Sequence, residues 1–210
     1  MKGKDMKTEI EVKFLRTNHD EVRRRLSELG AVCEQPMRVM RRAIIDYPDR
    51  RLQTGTPWSF IRVRDEGDKI TVTYKQLDHD ASLTGAREIE TVVEDFDSMV
   101  AIFEASGLKC HSLQESKRET WKLGDVEIVL DEWPWVPPYI EIEGPSEQAV
   151  KDCAQQLAFS WNDAAFGDAM SVYRAEYPHL TLQDTLATLP VVALNEPLPA
   201  MLRGHLNAQH

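Results

Sequence analysis

The chain has 210 residues and a formal net charge of −10 at pH 7, with 42% hydrophobic and 29% charged residues. This composition indicates a globular protein of one domain, or at most two. The acidic balance argues against a general nucleic-acid binder, which needs a basic face. A polyanionic substrate is still allowed, because a local cluster of Lys and Arg with a divalent metal can hold phosphate inside an acidic protein.

Other features of the sequence exclude further classes of protein. No apolar run is long enough to span a bilayer, and residues 1–7 lack the apolar core of a signal peptide. The three cysteines are far apart and none forms a Cys-x-x-Cys pair, which argues against a disulfide framework and a thiolate zinc site. We therefore expect a cytoplasmic protein that binds no membrane and no nucleic acid.

Hydrophobic periodicity predicts a mixture of strands and helices. Eight strands are predicted, at residues 7–15, 37–47, 58–65, 69–76, 86–94, 113–123, 125–132 and 139–143. Period-3.6 apolar stripes predict four helices, at residues 18–30, 95–106, 146–157 and 163–177. Asn18 and Ser146 are natural N-caps for two of them. Residues 78–85 are predicted to form a polar loop.

The C-terminal tail is less regular than the rest of the chain. Residues 181–210 contain mixed apolar segments and three prolines, Pro190, Pro197 and Pro199. Such a segment either packs as an appendage or stays loose. We therefore divide the chain into a main domain at residues 1–180 and a C-terminal extension at residues 181–210.

The short sequence Glu-Ile-Glu occurs three times, at residues 9–11, 88–90 and 141–143. Each copy lies on a predicted strand that is soon followed by a helix. This repetition suggests a barrel built from related strand-and-helix units, although the copies are too short to establish a duplication.

Charged side chains recur on the polar faces of successive predicted strands. They are Glu9, Glu11, Lys13, Arg62, Arg64, Lys75, Glu88, Glu90, Arg118, Lys122, Glu127, Asp131, Glu141 and Glu143. Any single set is typical of a solvated strand face. If the sheet closes, however, these faces can point together into one lumen while the apolar faces lie under the helices. The predicted fold is therefore α+β, a closed antiparallel β-barrel with helices packed outside.

A charged lumen needs an occupant. Carboxylates crowded together repel one another and lose solvation, at a large cost in free energy. A hard divalent cation removes that cost by taking carboxylate oxygens as ligands. Arg and Lys on the facing strands can then hold phosphate oxygens, so the charge pattern indicates a metal–polyphosphate site.

Several motifs occur in an order typical of one family. Glu9-Ile10-Glu11-Val12-Lys13 matches an ExExK motif. It is followed by Arg62-x-Arg64, Thr71-x-Thr73-Tyr74-Lys75, Arg118 before Trp121, Asp131, and Glu141-x-Glu143. Over residues 7–177 the chain thus resembles the CYTH, or triphosphate tunnel metalloenzyme, superfamily. Its members include class IV adenylyl cyclases, thiamine triphosphatases and inorganic triphosphatases.

The resemblance implies an eight-stranded antiparallel tunnel and a set of site residues. It implies Mg2+ or Mn2+ held by Glu9, Glu11, Asp131, Glu141 and Glu143. It implies a triphosphate held by Lys13, Arg62, Arg64, Lys75 and Arg118, to which we add Glu90 as a substrate-binding residue. Catalytic roles are assigned to Glu9, Glu11 and Lys13.

Some positions depart from the family pattern or remain open. Family members often carry a Lys two residues before the Arg at position 118, where this chain has Ser116. A residue of the C-terminal helix often closes the tunnel, and Arg174 or Tyr173 is the candidate here. Arg87 has the wrong parity for the lumen and is a weak candidate.

Two features of the second strand and of a later loop also remain open. One of Arg41 and Arg42 must face the lumen, but the sequence does not show which. The Trp- and Pro-rich segment at residues 133–138 is interpreted as a rigid turn, in preference to a platform that stacks on a base or a thiamine ring.

Three functions fit this sequence. The preferred one is a phosphohydrolase that cleaves inorganic triphosphate or a small organic triphosphate. The second is a class IV adenylyl cyclase that converts ATP to cyclic AMP and pyrophosphate. The third, a non-catalytic polyphosphate-binding module, is disfavoured because binding alone would not need so many carboxylates. The expected partner is a triphosphate-containing small molecule, and the sequence leaves a homodimer open.

Overall fold

A computed structural model of the protein describes residues 6–77 and 86–204, and these contain the predicted mixture of strands and helices. The strands are β1 (Lys7–Glu9), β2 (Glu11–Phe14), β3 (Val32–Asp46), β4 (Trp58–Asp65), β5 (Ile70–Leu77), β6 (Ala86–Val93), β7 (Lys109–Leu123), β8 (Val126–Glu132), β9 (Tyr139–Glu143), β10 (Ala164–Ala165) and β11 (Val191–Val192). The α-helices are α1 (His19–Glu28), α2 (Phe96–Ala105), α3 (Glu147–Gln156) and α4 (Ala169–Glu176). The loop predicted at residues 78–85 and the end of the tail lie outside the described residues.

The strands form one sheet, antiparallel except for β11, that curls into a half-barrel. Ten of them follow one another in the order β1-β6-β5-β4-β3-β7-β8-β9-β2-β10, and β11 adds to β7 in parallel. The α+β class is therefore confirmed, but the described strands outnumber the eight expected. The first predicted strand is divided at Ile10, where pairing changes from β6 to β9, and the short strands β10 and β11 were not predicted.

The register places charged and apolar residues on opposite faces of the sheet. Lys13 lies opposite Glu141 across β2 and β9, and Glu11 lies opposite Glu143. Since successive residues of a strand point to opposite sides, Val12 lies on the other face with its β9 partner. The parity predicted for the first strand is thus the parity observed.

Helices cover the apolar face, as the sequence predicts. Helices α1 and α3 pack on β2, β8 and β9 over a fully buried cluster that includes Leu26, Ile128 and Leu157. Helix α2 covers β3 and β4 through a smaller cluster around Phe96 and Val63. The concave face of the sheet is left to the charged residues.

Strand β3 is longer and less regular than the segment predicted at residues 37–47. It begins at Val32, and its pairing with β7 shifts register three times, near Gln35 on both sides and at Ile44–Ile45. Such β-bulges change which side chains face inward and increase the local twist. The alternation of inward and outward residues cannot be followed through this strand from the sequence.

The described part of the tail packs against the half-barrel. Strand β11 pairs with β7, and the Leu113 amide donates to the Pro190 carbonyl at 2.9 Å. Buried side chains of the tail and α4, among them Tyr173, Leu186 and Leu202, form a separate apolar cluster. The fourth helix is shorter than predicted, because residues 161–168 form a 3-10 turn, the short strand β10 and a bend at Gly167.

The described residues contain no helix that is both long enough and apolar enough to cross a membrane.

The packing of α1 on the sheet can be tested with Leu26→Ala. Leu26 is fully buried, so this change should lower the free energy of unfolding by about 2–5 kcal/mol through lost burial and a residual cavity. Denaturant unfolding measures the loss. The control is Ile102→Ala on α2, where the side chain is 56% exposed and the expected change is within about 0.5 kcal/mol. Equal losses in the two variants would contradict this packing.

Candidate active site

The concave face of the sheet bounds a cavity of about 1110 Å³ with mostly charged walls. All but one of the predicted site residues line it. They are Glu9, Glu11, Lys13, Arg62, Arg64, Lys75, Glu90, Arg118, Glu141 and Glu143. The exception, Asp131, is fully buried behind the wall. The structure therefore gathers side chains that the sequence spreads over most of the chain.

Lys13 lies at the centre of one wall and is 1% exposed. Its Nζ contacts Glu11 Oε1 at 2.9 Å and Glu141 Oε1 at 3.1 Å. It also donates to the Gly167 carbonyl at 2.6 Å. Burial alone would lower the pKa of Lys13, but the two carboxylates outweigh it and raise the pKa well above its usual value. Lys13 thus stays charged and ties β2 to β9 and to the segment before α4.

Arg118 of β7 is held by two carboxylates, one on β8 and one on β9. Its Nε and Nη2 donate to the two oxygens of Asp131 at 2.7 and 2.5 Å, and Nη2 also donates to Glu141 at 2.9 Å. This bidentate pair fixes the plane of the guanidinium. Asp131 is thus engaged by Arg118 through both oxygens, so its place in this structure is that of a residue that orients Arg118.

A second ion pair lies across β1 and β5. Lys75 Nζ contacts Glu9 Oε2 at 2.5 Å and approaches Glu88 Oε2 at 3.9 Å. Burial opposes ionisation of Glu9, but Lys75 more than compensates and lowers the pKa of that carboxyl. Burial and the neighbouring Glu9 raise the pKa of Glu88. Glu88, for which the sequence indicated no specific role, therefore completes a small acidic group around one lysine.

The two arginines of β4 have different surroundings. Arg64 pairs with Glu66 at 2.8 Å and approaches Glu90 at 3.9 Å. Arg62 has no carboxylate within 4 Å among the described residues, donates only to Thr73 Oγ1 at 3.3 Å, and leaves its buried Nε without a partner. Burial and the nearby Arg64 lower the pKa of Arg62 to about 10.

Arg42, one of the two arginines between which the sequence left the choice open, is a further basic residue of the cavity. It is 4% exposed, and its Nη2 donates to Ser116 Oγ at 2.9 Å. Its guanidinium lies 4.2 Å from the ring centre of Trp133, while its buried Nε has no hydrogen-bond partner. Within the described chain it forms no ion pair. Burial and the neighbouring Arg64 and Arg62 lower its pKa to about 9.

Its neighbour Arg41 points to the other side of the sheet. Arg41 pairs with Asp97 of α2 at 2.7 Å and lies over the Phe96 ring. The question left open by the sequence is therefore resolved in favour of Arg42. The Arg42 guanidinium donates to Ser116, at the position where the resemblance would lead one to expect a lysine. Arg42 of β3 therefore supplies a positive charge beside that position.

An orphaned guanidinium nitrogen in a buried site is costly, because a buried donor without a partner loses its hydration. Arg42 and Arg62 each contain one. The two arginines also repel each other and Arg64, which an anion between them would relieve. The part of the cavity lined by Arg42, Arg62 and Arg64 therefore has the charge and the free donors to bind negatively charged oxygens.

The opposite charge accumulates around Glu143, which is solvent-exposed at one mouth of the cavity. Partial burial and repulsion from Glu9, Glu11 and Glu127 raise its pKa to about 7. This set of oxygen donors has the chemistry that a hard divalent cation requires.

The carboxylate groups of the described residues do not converge on a single point. Among residues 6–77 and 86–204, no three His, Cys, Asp or Glu side chains converge in a manner that would hold an ion. Glu9, Glu11 and Glu141 are instead engaged by lysines or by Arg118. These carboxylates suit a divalent metal ion in chemical type and charge. In this structure their partners are Lys and Arg side chains of the same site.

Other candidates from the sequence lie away from the cavity. Arg174 donates to the carbonyls of the tail residues Thr181 and Asp184, and the Tyr173 hydroxyl donates to the Pro134 carbonyl. Neither lines the cavity, so the expectation that one of them closes it is wrong. Arg87 is exposed, as its parity suggested. Residues near the start of α4, including Met170, form part of the wall instead.

The chain is similar to known proteins in sequence and in fold. The family description "CYTH domain" matches residues 7–165. A Methanocaldococcus jannaschii protein, provisionally named an adenylate cyclase, is 32% identical over 83 residues, which is 40% of this chain. This alignment spans about half, 47%, of that relative's length.

Two solved structures share the fold. A provisionally named adenylate cyclase from Vibrio parahaemolyticus has a TM-score of 0.66 at 16% identity, over 79% of this chain and 97% of its own. A protein from Hippeastrum, provisionally named an adenylyl cyclase and described as revealing a dominant triphosphatase activity, has a TM-score of 0.53 at 14% identity. That match covers 84% of this chain and 99% of the other. The chain belongs to the CYTH domain family.

The role of Arg42 can be tested by Arg42→Met. Removing a desolvated cation that has no carboxylate partner should leave the ligand-free protein as stable as before or more so. Inorganic triphosphate should bind roughly tenfold to hundredfold more weakly, because a charge-assisted hydrogen bond is lost. Calorimetric titration and thermal unfolding measure the two effects. The matched control is Arg41→Met, which points outward and should not change the affinity.

The carboxylate crowding around Glu143 predicts a pH dependence in the metal-free protein. Its pKa rises from 4.5 unfolded to about 7 folded, so the folded state retains a proton that the unfolded state has released. Stability should therefore fall as pH rises through this window. Thermal unfolding in a chelator, from pH 5 to pH 8, should show a smaller fall for Glu143→Gln. The control Glu147→Gln, an exposed residue of α3, should behave as wild type; identical slopes in all three proteins would refute the crowding.

Proposed function

We propose that this protein is a divalent-metal-dependent phosphohydrolase that cleaves inorganic triphosphate or a small organic triphosphate. The observation that carries the proposal is that guanidinium groups and carboxylates line the same cavity. Arg42, Arg62, Arg64 and Arg118 line it together with Glu9, Glu11 and Glu143. A metal–triphosphate complex presents both charges at once, which neither a plain anion nor a plain cation does.

We further propose that the half-barrel acts as a closed tunnel. Strands β1 and β2 are separated only by Ile10, and they pair with β6 and β9 respectively. The continuous segment of residues 7–14 therefore pairs with strands toward both ends of the strand order. A ring of strands around the cavity would exclude bulk water and strengthen the electrostatic interactions inside it.

Glu9, Glu11, Glu141 and Glu143 would hold the cation, which we expect to be Mg2+ or Mn2+. When bound, the cation supplies charge neutralisation and polarisation of phosphate oxygens. Asp131 is left out of this set because, unlike Glu141, it does not line the cavity, and both its oxygens accept from Arg118. Its contribution is then to present the guanidinium in a fixed plane toward the phosphate chain.

The remaining charged residues bind and orient the substrate. Arg42 and Arg62 have orphaned donors, so they contribute hydrogen bonds to phosphate without first losing an ion pair. Lys13, Lys75 and Arg118 are paired with carboxylates before substrate arrives. Binding of the phosphate chain would draw these cations toward it and free carboxylate oxygens for the metal, so the two ligands should bind cooperatively.

An adenylyl cyclase is the second candidate. It is favoured by the provisional name of the Methanocaldococcus relative. The Hippeastrum protein is also provisionally named an adenylyl cyclase, but its description gives a dominant triphosphatase activity. A cyclase would direct the ribose 3′-hydroxyl to the α-phosphorus and release pyrophosphate, whereas the hydrolase directs water to the terminal phosphorus. A non-catalytic binding module is disfavoured because the carboxylate group around Glu143 contributes nothing to holding an anion alone.

The product identifies the reaction. Incubation with Mg2+ or Mn2+ and inorganic triphosphate, thiamine triphosphate or ATP should release orthophosphate without cyclic AMP. Glu11→Ala, which removes a carboxylate from the proposed metal set, should lower the rate by roughly a hundredfold or more. Glu28→Ala, on the exposed side of α1, is the control and should leave the rate unchanged.

Three outcomes would contradict this proposal. Release of cyclic AMP with pyrophosphate from ATP would establish the cyclase instead. Full activity in chelator, or full activity of Glu11→Ala, would show that the carboxylate group does not serve a catalytic cation.

A further inference from the structure

The end of the cavity farther from Glu143 contains a buried glutamine with no hydrogen-bond partner. Gln53 is 8% exposed and lines the cavity. Neither its Nε2 nor its Oε1 is hydrogen-bonded to any described residue. A buried carboxamide usually satisfies both atoms, because leaving each one unpaired costs about 1–3 kcal/mol. The two free atoms point to a ligand with a complementary donor and acceptor.

Gln53 is held firmly in place. The carboxylate of Asp46, which is fully buried, accepts hydrogen bonds from the backbone amides of Leu52 and Gln53 at 3.1 and 3.0 Å. The Ser59 amide donates to the Leu52 carbonyl at 3.0 Å. The backbone around the glutamine is therefore anchored at several points, and the unpaired amide belongs to a fixed part of the wall.

Aromatic side chains line the same end of the cavity. Trp58 and Phe60 stand edge to face with ring centres 5.3 Å apart. Trp133 also lines the cavity, and its buried indole Nε1 has no hydrogen-bond partner. Flat apolar surfaces beside a few unsatisfied polar groups are typical of sites that bind an aromatic ring.

This end adjoins the basic part of the cavity. Phe60 and Arg62 are two residues apart on β4 and share its inward face. Trp133 stacks against Arg42 at 4.2 Å. A ring bound here would thus lie directly beside the guanidinium groups proposed to hold phosphate.

The C-terminal tail completes this end. Thr185, Leu186 and Ala187 line the cavity. The Arg50 guanidinium donates to the Ala187 carbonyl at 2.9 Å, which joins the tail to the loop that carries Gln53. The CYTH match ends at residue 165, so these wall residues lie outside it. The tail therefore bounds the space that a ring can occupy.

We propose that this end of the cavity binds an aromatic heterocycle joined to the triphosphate, and that Gln53 determines this specificity. A carboxamide offers one donor beside one acceptor, and it pairs in two hydrogen bonds with a ring edge that carries an amino group next to a ring nitrogen. The aminopyrimidine part of adenine and that of thiamine both have this edge. The inference rests on the proposed function, and it selects an organic triphosphate over the inorganic one.

The test compares substrates across two glutamine variants. Gln53→Leu should raise the KM for ATP or for thiamine triphosphate, relative to the KM for inorganic triphosphate, by roughly tenfold to hundredfold. The matched control is Gln35→Leu at the opposite end of the same cavity, where the side-chain amide already donates to Asp68 at 3.0 Å. This control should leave the ratio of KM values unchanged. Whichever of ATP and thiamine triphosphate responds to Gln53→Leu identifies the heterocycle.

An unchanged ratio in Gln53→Leu would overturn the inference, as would an equal change in both glutamine variants. If Gln53→Leu unfolds, Gln53→Met replaces it, and an unchanged ratio there would overturn the inference equally. If wild type cleaves none of the three compounds, the proposed function fails separately. Calorimetric binding of ATP, thiamine triphosphate and inorganic triphosphate to wild type and the Gln53 variant then decides the inference by the same ratio.

Discussion

The structure depends on keeping Lys13 charged where water does not reach it. A buried ammonium is tolerated only when its charge is balanced at close range, and Glu11 and Glu141 provide that balance from either side. Glu11 lies on the same strand, two residues away, while Glu141 lies directly opposite on β9. This requirement fixes the register of β2 against β9, because a slip of one residue would place Val12 beside the acids and Lys13 among the apolar side chains under α1 and α3.

The same electrostatic balance extends along the cavity. Glu141 is shared between Lys13 and Arg118, and Arg118 is oriented in turn by Asp131. Removing one member would leave its partner buried and uncompensated, so these groups form one unit. Arg42 and Arg62 stand outside this network, which is why they remain available to an incoming anion.

Much of the site could be predicted because period-two alternation determines which side chains share a face. This held for β2, β4 and β9, where the pairing is regular, and it brought Glu11, Arg62 and Glu143 to the cavity as expected. The same reasoning failed in β3, because bulges interrupt the alternation there. The sequence therefore could not decide between Arg41 and Arg42. A strand containing Pro36 was the available signal of irregular pairing.

Loops and the tail were beyond this kind of reasoning. Gln53 reaches the cavity because Asp46 fixes a loop, and the sequence carries no periodic signal for such a contact. The tail packs through scattered apolar residues such as Leu186 and Leu202, which have no regular spacing. Trp133 was expected in a rigid turn. The structure packs its ring against the apolar cluster of the tail and α4, and also against the Arg42 guanidinium.

The division of the first strand at Ile10 has a consequence for how the protein is made. The segment before Ile10 pairs with β6, and the segment after it pairs with β9, far later in the chain. On the ribosome, β2 lacks its strand partner β9 until Glu143 has emerged, so until then Val12 and Phe14 can pack only against early segments such as α1. Pairing of such distant segments is intrinsically slow and exposes apolar surface to aggregation. Strand β2 is thus paired late in synthesis, although it precedes most of the other strands in the sequence.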